Sequence, residues 1–386
     1  MKHKFVLWLL GLLLFSTALY PGDVDRVGQP IMVYENGFTP VGGNFWASGG
    51  AGIANPNNAE ALFYNPAWSS RSKYTVLIGG LRQFEKRFFL IEDLGVSIGG
   101  KWLLPSYSLL ARRFELGLLF LGYQNIYDFK KKFEVEIATP EHPEGTGEFM
   151  TNIEEETLQN FFVGFNRALI SHVNIGIKAG LLRHHFSGEI GQRTIDSKVG
   201  YSYALELGLV GAVGDRGQVA LTYRYFDPLK YTFKMSAPRF SNNADSIEWI
   251  STEIDRQFRL PWLLDLGVYF RPLRYLRVML KLEYQEWKKV SRYYEDRLQW
   301  AFGATVVPDE RWRLNFGAFS SGRYPEKKDG IEDTPFVTAG INYRIKPGLM
   351  LSASALSNTF FVKKMNDNAE QMERSQVLFG LQWMFE

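Results

Sequence analysis

The chain of 386 residues contains no cysteine, which excludes a disulfide framework, a cysteine-ligated metal and a thiol nucleophile. It carries little net charge. Lysines and arginines number 44 against 41 acids, leaving +3, so the basic footprint of a nucleic-acid binder is missing. Long apolar runs are missing too. With a mean hydropathy of −0.17 and one short apolar run, a bundle of membrane helices, each needing about 20 apolar residues, is excluded. Aromatic residues are plentiful: 30 Phe, 19 Tyr and 10 Trp make up 15% of the chain.

The one apolar run, Phe5 to Phe15, follows Lys2, His3 and Lys4 and ends in Ser16-Thr17-Ala18. A basic start, an apolar stretch and small residues make residues 1–18 a secretory signal, cut after Ala18. No cysteine follows the cut, so lipid attachment is excluded there. The mature chain is expected outside the cytoplasm.

From about residue 72 the pattern alternates with a period of two, the signature of strands with one apolar face. Val377, Phe379, Leu381, Trp383 and Phe385 share one face, opposite Gln376, Gly380 and Gln382. Leu264, Leu266, Val268 and Phe270 alternate with Asp265, Gly267 and Tyr269, and Leu276, Val278, Leu280 and Leu282 with Arg277, Lys281 and Glu283. About 14 such segments occur. Short connections are expected at Arg112-Arg113, Ala168–His172, Asp215–Gly217, Pro272–Arg274, Pro308–Glu310 and Ile345–Pro347. Longer ones are expected near 82–103, 128–156, 187–198, 228–256, 290–295, 321–333 and 360–374. Short turns on one side and long loops on the other are the habit of an outer-membrane barrel, with both chain ends periplasmic. The expected fold is therefore all-β, a membrane β-barrel of residues 71–386. Strands this long are unusual in a soluble sandwich, and Tyr223, Tyr225, Tyr284, Trp287, Tyr343 and Trp383 fall where an aromatic girdle sits.

The phase also places the charges. Lys178, Glu206, Arg224, Arg277, Lys281, Glu283, Arg313 and Arg344 all fall on the polar face. An Arg or Lys facing lipid at mid-membrane costs about 2–4 kcal/mol, so these groups point into the lumen. Residues 19–70 do not alternate and are rich in Gly, Asn and Pro. Their glycines lack the Gly-Lys-Ser/Thr ending of a phosphate loop, and the small and apolar residues at 51–67 suit a plug inside the lumen.

The run from Gly49-Gly50-Ala51-Gly52 to Phe63-Tyr64-Asn65-Pro66-Ala67 resembles the N-terminal hatch of the FadL family, outer-membrane importers of long-chain fatty acids. The likeness continues through Leu104-Pro105-Ser106-Tyr107, Phe114 to Phe129, Leu260-Pro261, Tyr284-Gln285-Glu286-Trp287 and Asp309–Gly317, to Leu378-Phe379-Gly380. It departs at Asn57-Asn58, where the family often has acids, in the roughly 25 extra residues ahead of Gly43, and in the ending Phe385-Glu386.

The resemblance implies a monomeric, cofactor-free channel in which a hydrophobic small molecule, a fatty acid in the type case, enters the lumen and leaves sideways into outer-membrane lipid past a kinked third strand. A sixteen-carbon tail would gain roughly 13 kcal/mol gross at about 0.8 kcal/mol per CH₂, so release requires the pocket to deform. On this chain Asn65, Pro66 and Ala67 would end the hatch, though the same residues also make a plain turn into the first strand. The third strand is 114–127, with Gly122, Tyr123, Gln124 and Asn125 as the candidate kink; glycine permits a bulge, or makes room for the hatch. Lys178, Arg224, Arg277, Lys281, Arg313 and Arg344 form the pool for a ligand carboxylate, of which one or two are expected to matter, any single member reading first as a structural ion-pair partner, for instance of Glu283 or Glu206.

The acidic stretch 128–156 reads as a solvated loop that pairs Lys130-Lys131-Lys132 with its own glutamates, Glu134, Glu136, Glu141, Glu144, Glu148 and Glu154–Glu156. His184 and His185 point to opposite faces of a strand and cannot share a metal. No Ser-His-Asp constellation is readable, so the reading is non-enzymatic. A second reading within the same fold is a PorV-like subunit of a secretion system that binds protein partners, and a third is a channel for an aromatic hydrocarbon.

Overall fold

The computed structural model describes residues 40–69, 72–88, 95–136, 149–190, 193–240, 247–290, 294–321, 334–359, 361 and 371–385. The expected signal 1–18 and residues 19–39 of the following segment lie outside the described residues. The strands are β1 Tyr74–Phe88, β2 Gly95–Phe114, β3 Gly117–Glu136, β4 Phe149–Ile170, β5 Val173–Ile190, β6 Arg193–Ser197, β7 Gly200–Val213, β8 Gly217–Phe226 and β9 Leu229–Phe240. They continue with β10 Ile247–Phe258, β11 Leu263–Leu273, β12 Leu276–Gln285, β13 Arg297–Val306, β14 Trp312–Ser321, β15 Thr334–Lys346, β16 Leu349–Ser357 and β17 Gln371–Phe385.

Fourteen of these strands form a closed antiparallel barrel. Closure comes from β1, which pairs with β2 on one side and, from Tyr74↔Phe385 to Phe88↔Gln371, with β17 on the other. β7 follows β5 directly in the wall and β11 pairs directly with β8. The remaining three strands rise beyond the wall at the long-loop end: β6 bridges the tip of β5 and β9, and β9 pairs along its length with β10.

The burial pattern is inverted relative to a water-soluble fold. Along β11, Asp265 is fully buried while Leu266, Val268 and Phe270 are 45%, 39% and 49% exposed. The same outward apolar face recurs at Leu121, Phe161, Ile177, Leu280, Phe302 and Phe379. Burying such side chains is worth roughly 1.5–3 kcal/mol each, so a continuous band of them belongs in lipid. No described helix is long and apolar enough to cross a membrane; the strands do the crossing. Aromatic pairs rim the band. Trp312–Tyr343 and Trp383–Phe385, with ring centroids 4.5 and 4.9 Å apart, mark the short-turn end, and Tyr223–Trp262–Tyr284 mark the other.

Several expectations need correction. The first short turn is at Glu115-Leu116, not Arg112-Arg113, and β3 begins at Gly117 rather than 114. Alternation survives past Arg112 because its guanidinium lies over the Tyr74 and Phe114 rings at the edge of the band. The stretches 82–103, 128–156, 187–198 and 228–256 are largely strand, because the hairpins continue beyond the membrane band. In 128–156, β3 and β4 set Lys130 opposite Glu155 and Lys131 opposite Glu154, so the charge run is a cross-strand ladder instead of a loop; Glu141, Glu144 and Glu148 lie outside the described residues. Trp287 is no girdle residue. A single helical turn, Trp287–Lys289, leaves the sheet and turns the indole into a buried apolar cluster with Tyr294, Phe258 and Phe226. His184 is buried against Glu156, at 2.7 Å, while His185 lies half exposed beside the Ser197 carbonyl.

Candidate functional site: the filled lumen

Residues 40–69 fill the middle of the barrel. They contain one short helix, α1 Gly43–Ala47, and two single 3₁₀ turns, Gly52–Ala54 and Ala59–Phe63. Glycines on the inner wall admit this segment at contact distance. A Cβ on Gly176 would run into Pro66, one on Gly208 into Asn65, and one on Gly317 into the Ser48-Gly49 backbone. Gly49 itself needs its φ of +67° to turn there.

Asn65, Pro66 and Ala67 sit in the most tightly held part of the segment. Asn65 is wholly buried; its side-chain oxygen accepts from Ala67 N at 2.9 Å and its amide reaches the Ile53 carbonyl at 3.4 Å. From the wall, Asn166 donates to the Pro66 and Trp68 carbonyls at 2.9 and 2.5 Å. Lys178 donates to the Phe63 carbonyl at 2.7 Å and pairs with Glu206 at 2.7 Å, under the Phe162 ring.

Glu60 is a lumenal acid that the alternation argument could not reach; its only sequence signal is one carboxylate in the small and apolar run 59–67. It is 2% exposed. Phe45 N donates to its Oε2 at 2.7 Å and Tyr107 Oη to its Oε1 at 3.1 Å. Burial pushes its carboxyl up to about 7, against the opposing pull of those two donors. Nearby, Tyr64 stacks on Phe45 with centroids 4.0 Å apart, and its hydroxyl accepts from Trp46 Nε1 at 2.7 Å. Desolvation raises the Tyr64 hydroxyl above its ordinary range.

Above this floor lies a cavity of about 110 Å³ lined by Trp46, Tyr64, Phe319 and Phe336, with Arg224, Lys281 and Glu283 on its flank. The charged flank is internally balanced. Arg224 pairs with Asp265 at 2.7 Å and Glu283 at 3.1 Å, and Lys281 with Glu283 at 2.9 Å. Gln285 donates to Glu283 at 2.7 Å and accepts from Trp287 Nε1 at 2.7 Å. Three of the six candidate cations, Lys178, Arg224 and Lys281, are thus held by acids. Arg277, Arg313 and Arg344 lie nearer the short turns and form no ion pair with a described residue.

The candidate kink residues stand where the wall changes partners. Gly122 itself keeps regular register, opposite Leu109 and Phe162; a Cβ there would press on the Phe162 ring, which packs on Phe63 of the lumenal segment. Gln124 is the last β3 residue paired with β2, opposite Tyr107, and β3 shifts register against β4 between Asn125 and Tyr127. Beyond that point β2 pairs with β1 alone and β3 with β4 alone. β2 also shifts register against β1, spanning Leu103 to Tyr107 where β1 advances only from Gly79 to Leu81. Tyr123 Oη donates to Asn125 Oδ1 at 2.8 Å. The bulges and the Leu104-Pro105 excursion have no period-two signal, so alternation alone passes over them.

No protein-family profile matches the chain, and no curated protein sequence is similar to it. Solved structures are. The toluene transporter TbuX of Ralstonia pickettii superimposes with a TM-score of 0.69 at 11% identity, covering 92% of this chain and 100% of that one. The toluene transporter TodX of P. putida gives 0.69 at 12%, covering 91% and 100%. A FadL homologue of Pseudomonas aeruginosa gives 0.65 at 12%, covering 90% and 99%. At such identities the likeness is one of fold, and it extends over nearly the whole described chain.

Proposed function

We propose that this chain, built on the fold of the FadL-family channels, is a bacterial outer-membrane channel for passive uptake of hydrophobic molecules, with residues 40–69 as its hatch and with lateral release into the membrane. The observation that carries the reading is the interruption of the β2–β3 ladder at Tyr107↔Gln124, beside a filled lumen. A plugged barrel without an opening conducts nothing; one whose β2–β3 ladder ends at Tyr107↔Gln124, still beside the apolar band, offers an apolar cargo a sideways path into lipid.

The cavity bears on the cargo. At about 110 Å³ it is near the size of a cavity that holds one benzene ring, roughly 150 Å³, and its floor is aromatic. Two of the cations that line it, Arg224 and Lys281, are already matched by Asp265 and Glu283. Both features suit a compact neutral ligand; a long-chain fatty acid requires the hatch to move and its carboxylate to displace an existing partner.

The chain lacks cysteine, so an introduced pair is clean. Ser106→Cys with Asn125→Cys stands one step beyond the last β2–β3 pair, and a disulfide there extends the ladder. In cells lacking their own importers, uptake of labelled toluene or oleate is expected to fall on oxidation and return on reduction. Unchanged uptake through the oxidised, folded barrel overturns lateral release, and absence of uptake under both conditions overturns the channel reading.

The PorV-like reading draws on a different observation, the β6–β9–β10 sheet beyond the wall, a surface of the kind a protein partner uses. The broken ladder, idle in that role, favours the channel.

A further inference from the structure

The lumenal ion pairs consume Lys178, Arg224 and Lys281, but the three arginines nearer the short turns are left over. Arg277 on β12, Arg313 on β14 and Arg344 on β15 share the inward face with Met279, Asn315 and Asn342. Arg277 lies four residues below Lys281 on that face, about 13 Å along the strand. β12 and β14 are two strands, about 10 Å, apart and β15 adjoins β14, so three long side chains converge on one quadrant of the mouth. Each guanidinium lies in the field of the others: Arg277 and Arg344 both act on Arg313, and Arg344 acts on Arg277. None forms an ion pair with a described residue, and Arg277 Nε is buried with no hydrogen-bond partner. The site has a polar roof. Arg313 Nη1 donates to the Asn57 carbonyl at 3.3 Å, and Asn57 Nδ2 donates to Tyr269 Oη at 3.3 Å.

We propose that Arg277, Arg313 and Arg344 form an anion-binding site at the short-turn mouth, beneath residues 40–69 and separate from the aromatic cavity, which takes a phosphate-type oxyanion. Three guanidiniums with no ion-pairing carboxylate among the described residues repel one another, and an oxyanion relieves that repulsion while filling planar donor forks shaped for bidentate contact. The phosphate group is free in solution or carried by a lipid head; the chemistry is the same. Through Arg313 and Asn57 its binding braces the underside of the lumenal segment. The site stands whether or not the barrel conducts hydrophobic cargo.

The test is thermal unfolding of the full-length barrel in zwitterionic micelles, titrated with inorganic phosphate against sodium chloride at equal ionic strength. The melting temperature is expected to rise saturably with phosphate and not with chloride. Arg277→Gln with Arg344→Gln is expected to weaken that effect by about tenfold or more, whereas Lys198→Gln, at an exposed pair with Glu253, leaves it intact. If the double variant does not fold, Arg344→Lys keeps the charge, loses the fork and is expected to weaken phosphate in the same direction. In nanodiscs without soluble phosphate, stabilisation by phosphatidylglycerol over phosphatidylcholine that the variants abolish assigns the phosphate to a lipid head; stabilisation by soluble phosphate alone assigns it to the free ion. An equal response to chloride, or a phosphate response undiminished in the variants, overturns the site.

Discussion

Tyr107 of β2 donates its phenolic hydrogen to Glu60 Oε1 at 3.1 Å, joining the barrel wall to the lumenal segment beside Gly79 and Gly380. A Cβ on Gly79 or Gly380 would strike the Tyr107 hydroxyl, so the hydroxyl end of the side chain sits directly against β1 and β17. Tyr107 is also the residue at which β2 parts from β3. One hydrogen bond therefore connects the buried carboxylate, the glycines of two strands and the end of the ladder.

That carboxylate makes the packing of the lumenal segment pH-dependent. Its value of about 7 in the folded protein exceeds the ordinary 4.5, so the folded state holds the proton more tightly. The stabilisation is complete below about pH 4.5 and is lost as pH rises through about 7, amounting to about 3 kcal/mol at 1.36 kcal/mol per unit. Limited proteolysis of residues 40–69 is expected to be faster at pH 8 than at pH 5. Glu60→Gln, which keeps the shape and removes the titration, is expected to flatten that difference; a pH dependence that persists in Glu60→Gln assigns it to another group.

The Lys178–Glu206 pair gives the second prediction. Both side chains are almost fully buried and 2.7 Å apart. Lys178→Met strands the Glu206 charge and the Phe63 carbonyl together, and loss of one partner of a buried pair costs about 3–5 kcal/mol. Adding Glu206→Leu removes the stranded charge and is expected to recover most of the loss. Denaturant unfolding of the two variants measures it; equal destabilisation by both shows that the Phe63 contact, and not the charge, is what matters.

How far the sequence disclosed this molecule follows from what a period of two can encode. Alternation at 264–270 or 377–385 reports which face meets lipid, so the wall, its strand number and the inward placement of Lys178, Arg224 and Arg277 were legible. Partnership across the barrel was not. Arg224 on β8 and Glu283 on β12 are 59 residues apart, and only the intervening β11 brings them together. The strands beyond the membrane were missed for a related reason: Lys130 stands opposite Glu155 in a hairpin beyond the apolar band, where neither face need be apolar. Glu60 and the Leu104-Pro105 excursion escaped because irregular backbone carries no period.

Wall glycines give the third prediction. A Cβ on Gly176 would run into the Pro66 carbonyl, and both are backbone positions with little freedom to yield. Gly176→Val, on the inward face of β5, is expected to leave a closed barrel while lifting Asn65–Ala67 from its seat, at an overpacking cost of about 1–3 kcal/mol. Heat-modifiable gel mobility reports the barrel, and sensitivity of cells to a bulky antibiotic reports the lumen. A folded barrel with unaltered antibiotic exclusion shows that the lumenal segment has other ways to seal the pore.

The last prediction concerns size discrimination and rests on the channel reading. Trp46 occupies the floor of the aromatic cavity, edge-on to Phe319 at 5.0 Å and bonded through Nε1 to the Tyr64 hydroxyl at 2.7 Å. Trp46→Ala removes the largest ring from a cavity of about 110 Å³, and truncating a packed Trp costs about 3–5 kcal/mol, borne by the lumenal segment rather than the strands. Trp46→Phe keeps apolar bulk and loses only the indole hydrogen bond, worth about 1 kcal/mol. Competition uptake with toluene and a bulkier bicyclic hydrocarbon is expected to show the bicyclic gaining on toluene in Trp46→Ala and scarcely at all in Trp46→Phe. A shift of equal size in both variants assigns the effect to loosening at Tyr64, because only Trp46→Ala enlarges the space that a ligand must fit.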